Sequence, residues 1–248
     1  MINHLIPILT IIVALVGLFF LIFLWSNAEL KSTFDKFSAL RVETRIQVAK
    51  RQELSMYYHI SKRLFDFTFT LFAIVIFLPV LVPICILIKL DSKGPILYKQ
   101  KRFGINGKHY WGYKFRTMYV PEEEENSDFP KRSDPRITKI GKFLRLTALD
   151  ELPAFINVLE GDMSLVGRSR ILDYDTSAKN LSLEEKDALL SVKPGVISLW
   201  AISRNRVEFN FDNIYDYDMY YLTRMSFRFD LKILLGSIIV VLGSTSQH

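Results

Sequence analysis

LFDFTFTLFAIVIFLPVLVPICILIKL, residues 64–90, decides the fold. Asp66 and Lys89 are its only charged residues. As an α-helix the block would rise roughly 40 Å, more than the roughly 30 Å hydrocarbon core of a bilayer. Two prolines interrupt it. Pro79 lacks an amide hydrogen and disrupts the bond to the carbonyl four residues back, so a kink is expected there. A straight spanning helix would put everything after it across the membrane. A bent helix that enters and leaves by one face would keep it on the near side. Periodicity does not choose between the two. Lys62 and Arg63 before the block and Lys89 at its end lean toward the same-side, re-entrant option. Asp66, near the entrance, needs a partner, and Arg63 three residues earlier is in reach.

A second apolar run lies upstream. Leu5 to Trp25 is uncharged throughout, long enough to cross a bilayer as a helix. No basic residue precedes it and no small-x-small cleavage site follows, so a signal peptide fits poorly. Lys31, Lys36, Arg41, Arg45, Lys50 and Arg51 follow it, which places the N-terminus outside and the rest in the cytoplasm. Between the two runs, Leu30, Phe34, Phe37, Leu40 and Ile46 recur near helical spacing with charges between them. That reads as a helix on the inner membrane surface or as a plain connecting helix. The expected organisation is a transmembrane helix (1–27), an amphipathic linker helix (28–61), a re-entrant membrane helix (62–90) and a cytoplasmic domain (91–248).

The whole chain of 248 residues carries a formal net charge of +6. A basic balance suits an anionic partner: phospholipid, nucleic acid or a nucleotide substrate. No nucleic-acid motif is present and the basic residues interleave with carboxylates, so no nucleic-acid partner is expected. Cys85 is the only cysteine, and the four histidines show no ligand spacing. A disulfide framework and a zinc site are therefore not expected.

Past the turn cluster Asp91-Ser-Lys-Gly-Pro95, two short runs, 96–100 and 108–113, flank a glycine-containing loop at 103–107. The pattern predicts a β-hairpin. Lys99, Lys101, Arg102, Lys114 and Arg116 gather around it, either as a phosphate site or as a basic surface facing lipid headgroups. Val120 to Arg136 is a polar loop with an acidic run at Glu122 to Glu125. Next, Ile137, Ile140, Phe143 and Leu144 predict an amphipathic helix that carries Arg145. A second helix presents Leu152, Phe155, Ile156 and Leu159 on one face and stops at Gly161. Thr147 and Asp150 have the spacing of its start, which puts Asp150 and Glu151 at a helix N-terminus. Adjacent carboxylates there can hold Mg²⁺, one can act as a nucleophile, or both can simply cap the helix. The fold class expected from these pieces is α+β and predominantly helical.

Taken in order, the motifs resemble one family. They are Lys62-Arg-x-Phe-Asp66, Ser92-x-Gly-Pro95, Gln100-x-Arg-x-Gly-x-x-Gly107, Lys114-Phe-Arg-Thr-Met118 and Asp134-Pro-Arg-Ile-Thr138. Leu149-Asp-Glu-Leu-Pro153, Asn157-Val-Leu-x-Gly-Asp-Met-Ser-Leu-Val-Gly167, Lys193-Pro-Gly195 and Phe229-Asp-Leu-Lys-Ile-Leu-Leu235 follow. The set is similar to the monotopic phosphoglycosyl transferases, the bacterial sugar transferase family, over roughly Ser61 to Leu242.

The resemblance implies a re-entrant helix broken at Pro79 and a cytoplasmic catalytic domain at the bacterial inner membrane, in contact with its lipid. It implies Asp150 as a nucleophile toward the sugar-bearing phosphorus of a UDP-sugar, with release of UMP. Polyprenyl phosphate would then take the phospho-sugar and start a glycan. Glu151 and a Mg²⁺ ion held with Asp150 would assist. Phosphoryl transfer is mostly positioning and charge neutralisation. Arg145, Lys114, Arg116, Arg102, Arg168 and Arg170 are the candidate phosphate ligands, with Arg145 favoured by its closeness to Asp150 in sequence.

The chain departs from the family where Gly167-Arg-Ser-Arg170 replaces a Gly-Pro-Arg-Pro run, and again after Pro194-Gly195, where glycines and a glutamine are missing. Arginine at 168 or 170 could still pair with phosphate. These departures motivate an alternative, a non-catalytic relative that binds nucleotide-sugar or polyprenyl phosphate and scaffolds a glycan assembly complex. The apolar tail Ile233 to Leu242 could lie on the membrane, pack in a core or join a homo-oligomer.

Overall fold

The computed structural model describes residues 56–119, 134–170, 182–203 and 211–243, without the side chains of 211–213 and 239–243. The expected transmembrane helix at 1–27, the linker as far as 55 and the acidic run at Glu122 to Glu125 lie outside the described residues. The elements are α1 (Met56–Asp91), β1 (Leu97–Phe103), β2 (His109–Phe115), α2 (Lys139–Thr147), α3 (Ala154–Glu160), β3 (Ser164–Val166), α4 (Leu183–Leu190), β4 (Gly195–Ile197), α5 (Phe211–Arg224) and α6 (Phe227–Gly243). The fold is mostly helical with a few short strands. Among the described residues, those up to Ser198 fall in one compact unit and those from Leu199 in another.

Helix α1 begins at Met56, upstream of the expected start at Lys62, and stays helical through Pro79 and Pro83. It is long and apolar enough to cross a membrane. Leu64, Phe72 and Val75 are each more than 60% exposed, a surface suited to lipid rather than water. Two of its polar residues, Asp66 and Thr70, point inward instead. Asp66 is buried and accepts from Ser164 Oγ at 2.6 Å and from the Leu165 amide at 3.3 Å. Arg63 does not supply that contact: its Nη1 and Nη2 donate to the Val158 and Leu159 carbonyls. Those are last-turn carbonyls of α3, where a cation is favourable. At the other end, Arg116 Nη2 donates to the Ile88 and Ser92 carbonyls and to Ser92 Oγ. Both ends of α1 are therefore tied into the unit that contains it.

The predicted hairpin forms, with longer strands than expected. β1 and β2 pair antiparallel from Leu97↔Phe115 to Phe103↔His109. The connection needs two left-handed residues, Asn106 (φ 54°) and Gly107 (φ 71°), residue types that tolerate that region. β3 and β4 form a short parallel pair, Ser164↔Gly195 and Val166↔Ile197, and an isolated parallel bridge joins Arg168 to Pro194. One core cluster joins Tyr110 of β2 to Ala154 and Val158 of α3 and to Met163 and Leu165. Another joins Ile84 and Ile88 of α1 to Phe115 and Leu144. In the second unit, Ile233, Leu234 and Leu235 of α6 are buried, and Tyr221 donates to Asp230 at 2.7 Å.

Candidate active site

Helix α2 starts where Thr138 accepts from the Gly141 amide, an ordinary N-cap. It lies close against the chain after β2, since a Cβ on Gly141 would fall 2.0 Å from the Thr117 carbonyl oxygen. Thr147 does not start the next helix. It sits in the last turn of α2 and its hydroxyl donates back to the Phe143 carbonyl. Ala148 then turns left-handed at φ 56°, which breaks the helix and throws Leu149–Glu151 into a separate 3-10 turn. Asp150 and Glu151 therefore stand on a connection between α2 and α3 rather than in the first turn of α3. Gly161 ends α3 as expected, at φ 94° with its amide bonded to Asn157 and Val158.

This connection meets β2. Glu151 Oε1 lies 3.3 Å from Lys114 Nζ, and its Oε2 accepts from Arg170 Nη2 at 2.5 Å. Burial pushes the Glu151 carboxyl up, but Arg170 and Lys114 outweigh that and hold it down at about 2. Asp150 differs from its neighbour in both respects. Among the described residues it makes no ion pair. Burial raises its pKa above the ordinary carboxylate value, Lys114 and Arg145 oppose the rise, and Glu151 adds to it. Lys114 in turn is pushed down by burial, against the pull of Glu151. Arg145 is half-buried with Nε on Thr117 Oγ1 at 2.8 Å. Arg102 extends from β1 to donate to the Arg170 carbonyl and Gln100 Oε1.

Of the expected phosphate ligands, Lys114, Arg170, Arg102 and Arg145 thus converge on the two carboxylates. Two do not. Arg116 caps the end of α1. Arg168 is fully buried, and its guanidinium donates to the carbonyls of Val192, Ser169, Phe103 and Gly104. These donors of Arg168 staple the hairpin turn to β3 and to the chain just after α4.

Two residues escaped the sequence reading. Asn157 is completely buried; its Nδ2 donates to the Trp111 carbonyl at 2.8 Å and its Oδ1 accepts from the Tyr113 amide at 3.0 Å. It serves the edge of β2 not used by β1, as another strand would, and so fixes Lys114 one residue on. The available signals were its place at the head of the Asn157–Gly167 motif and an amide on a helix whose one other polar residue is Glu160. Tyr110 is buried with its hydroxyl unpartnered; aromatic strand residues are too common to have drawn notice.

No group of three or more His, Cys, Asp or Glu side chains that could hold a metal occurs among the described residues. Mg²⁺ needs only one or two carboxylates when substrate phosphates complete its shell. Asp150, which makes no ion pair among the described residues, and Glu151 beside it are the donor set present, with Glu151 held by Lys114 and Arg170.

A family described as bacterial sugar transferase matches residues 57–244. The galactosyl transferase CpsE of Streptococcus agalactiae is 38% identical over 88% of this chain and 51% of its own length. The UDP-glucose:undecaprenyl-phosphate glucose-1-phosphate transferase of Escherichia coli is 36% identical over 71% of this chain and 38% of its own. The sugar transferase EpsL of Bacillus subtilis is 35% identical over 75% of this chain and 89% of its own. The chain thus spans about half or less of the first two relatives.

Proposed function

The chain belongs to the bacterial sugar transferase family, and from that premise we propose that it transfers a sugar-1-phosphate from a UDP-sugar to a polyprenyl phosphate. Relatives named for undecaprenyl-phosphate sugar transfer support the two substrates. The observation that carries the assignment is the contrast between the two carboxylates. Glu151 is bound by Lys114 and Arg170, whereas Asp150 has lone pairs to offer and Lys114 and Arg145 near enough to favour its charge. A nucleophile must be ionised and uncommitted.

In the first step an Asp150 carboxylate oxygen bonds to the sugar-bearing phosphorus of the donor. The bond from that phosphorus to the bridging oxygen breaks, and the electron pair leaves with UMP. In the second, a phosphate oxygen of the polyprenyl phosphate bonds to the same phosphorus. The acyl-phosphate bond breaks, Asp150 is regenerated and the product is a polyprenyl-diphosphate sugar. Lys114, Arg170, Arg102 and Arg145 neutralise the phosphate charge through both steps. Asp150 and Glu151 would hold Mg²⁺ with the donor phosphates, and the ion would supply further charge neutralisation there. One site serves both substrates in turn because the phospho-sugar waits on the protein.

The same-side reading of α1 is part of this proposal. A helix with Arg63 and Asp66 bonded to α3 and β3, and with Ile88 and Ser92 bonded to Arg116, has both ends in one compact unit. That favours entry and exit by the cytoplasmic face, with the site close to lipid phosphates.

The test is UMP release from a panel of UDP-sugars by detergent-solubilised protein with Mg²⁺ and undecaprenyl phosphate. Asp150→Asn is expected to abolish release. Release that survives this substitution would refute the nucleophile assignment.

A further inference from the structure

Tyr110 carries a hydroxyl that the fold does not use. The residue is 6% exposed, its ring packs in the cluster with Ala154, Val158, Met163 and Leu165, and its buried Oη has no hydrogen-bond partner among the described residues. A phenylalanine would fill the same space without the cost of an unsatisfied buried donor. Tyr110 lines a pocket with Arg102, Lys114, Asn157, Met163 and Arg170. Burial raises the pKa of its hydroxyl, and the charges of Arg102 and Arg170 oppose that rise. Gly112, across from Gln100 in the hairpin, leaves room for the Arg102 stem to reach this pocket: a Cβ there would lie 3.1 Å from Arg102 Cδ.

The polar groups around the hydroxyl are almost all donors. Arg102, Lys114 and Arg170 bring three positive charges and Glu151 returns one negative, leaving a surplus of two. The Asn157 amide is committed at both ends to β2. What the pocket lacks is an acceptor with negative charge.

We propose that Tyr110 Oη, with Arg102 and Arg170, forms an oxyanion subsite that accepts a phosphate oxygen of the donor diphosphate. The identity of that phosphate rests on the transferase reading; the preference for a phosphate oxygen does not. Binding there exchanges the Arg170 contact with Glu151 for one with the ligand and gives the Tyr110 hydroxyl its acceptor. Tyr110 becomes a donor-binding residue in its own right.

The test uses the full chain in detergent and inorganic pyrophosphate as the probe, followed by calorimetry, with uridine as a phosphate-free control. Tyr110→Phe is expected to weaken pyrophosphate binding about tenfold, as loss of one hydrogen bond to a charged oxygen would. Its unliganded Tm should be unchanged or higher, because a merely structural hydroxyl would lower it on removal. Equal binding by the variant, no binding by the wild type, or a lowered Tm would each overturn the subsite. UMP release on the same preparations separates the two claims. Weakened pyrophosphate binding with a wild type that turns over no UDP-sugar would refute the transferase reading and leave the subsite. Turnover with unchanged pyrophosphate binding would do the reverse.

Discussion

Asn157→Ala tests whether the site is held by a side chain acting as a strand. The native amide bonds the Trp111 carbonyl and the Tyr113 amide at 2.8 and 3.0 Å. Truncation leaves one backbone acceptor and one backbone donor of β2 without partners. Each such loss costs about 1–1.5 kcal/mol in a partly buried setting, so the expected destabilisation is about 2–3 kcal/mol. Urea unfolding in detergent, followed by far-UV circular dichroism, should show the midpoint fall with little change in slope. Because Lys114 follows Tyr113 in the strand, kcat should also fall, and by more than KM rises. Asn157→Gln should not restore either quantity, since the longer side chain displaces the amide from both partners. A loss below about 0.5 kcal/mol, within the range of an ordinary surface change, would refute the idea that this amide closes the edge of β2.

Lys114→Met addresses the charge on Asp150. Lys114 pulls the Asp150 pKa down against burial, and catalysis needs the ionised form. Activity therefore falls as pH drops through that pKa, and in the variant the fall should occur at higher pH; an unmoved or lowered acid limb in a kcat/KM profile would contradict it. Arg168→Ala should destabilise by about 2–4 kcal/mol, because four carbonyls, three of them in buried bonds, lose their donor. The KM for the UDP-sugar, measured on the fraction that remains folded, should stay within about twofold; a large rise would return Arg168 to the phosphate ligands.

The sequence carried the large elements because their signals are local. An apolar block with basic ends gave α1, two short runs around a glycine-containing loop gave the hairpin, and helical spacing with Gly161 gave α3. The placement of Asp150 and Glu151 was not local in that sense. Thr147 has the composition of a cap but turns its hydroxyl back onto α2, and the break comes from a left-handed alanine that no residue preference announces. Arg168 and Arg170 look alike in sequence. The bridge from Arg168 to Pro194 directs one into the interior, while the other reaches Glu151. Asp66 advertised a need for a partner, and the nearest cation was the natural choice. Two of its hydrogen-bond donors are 98 and 99 residues away in sequence, a distance over which spacing says nothing.

That separation also sets an order of events during synthesis. Asp66 leaves the ribosome 98 residues before Ser164, which at about 5–20 residues per second amounts to roughly 5–20 s. Throughout that interval the nascent α1 carries a carboxylate that lacks two of its final hydrogen-bond donors, and a carboxylate short of donors is disfavoured in hydrocarbon. The helix must wait with Asp66 at the headgroup level until Ser164 and the Leu165 amide arrive. The seating of the membrane segment is thus completed by a strand translated long after it, and a chain truncated before residue 164 should fail to settle its own anchor.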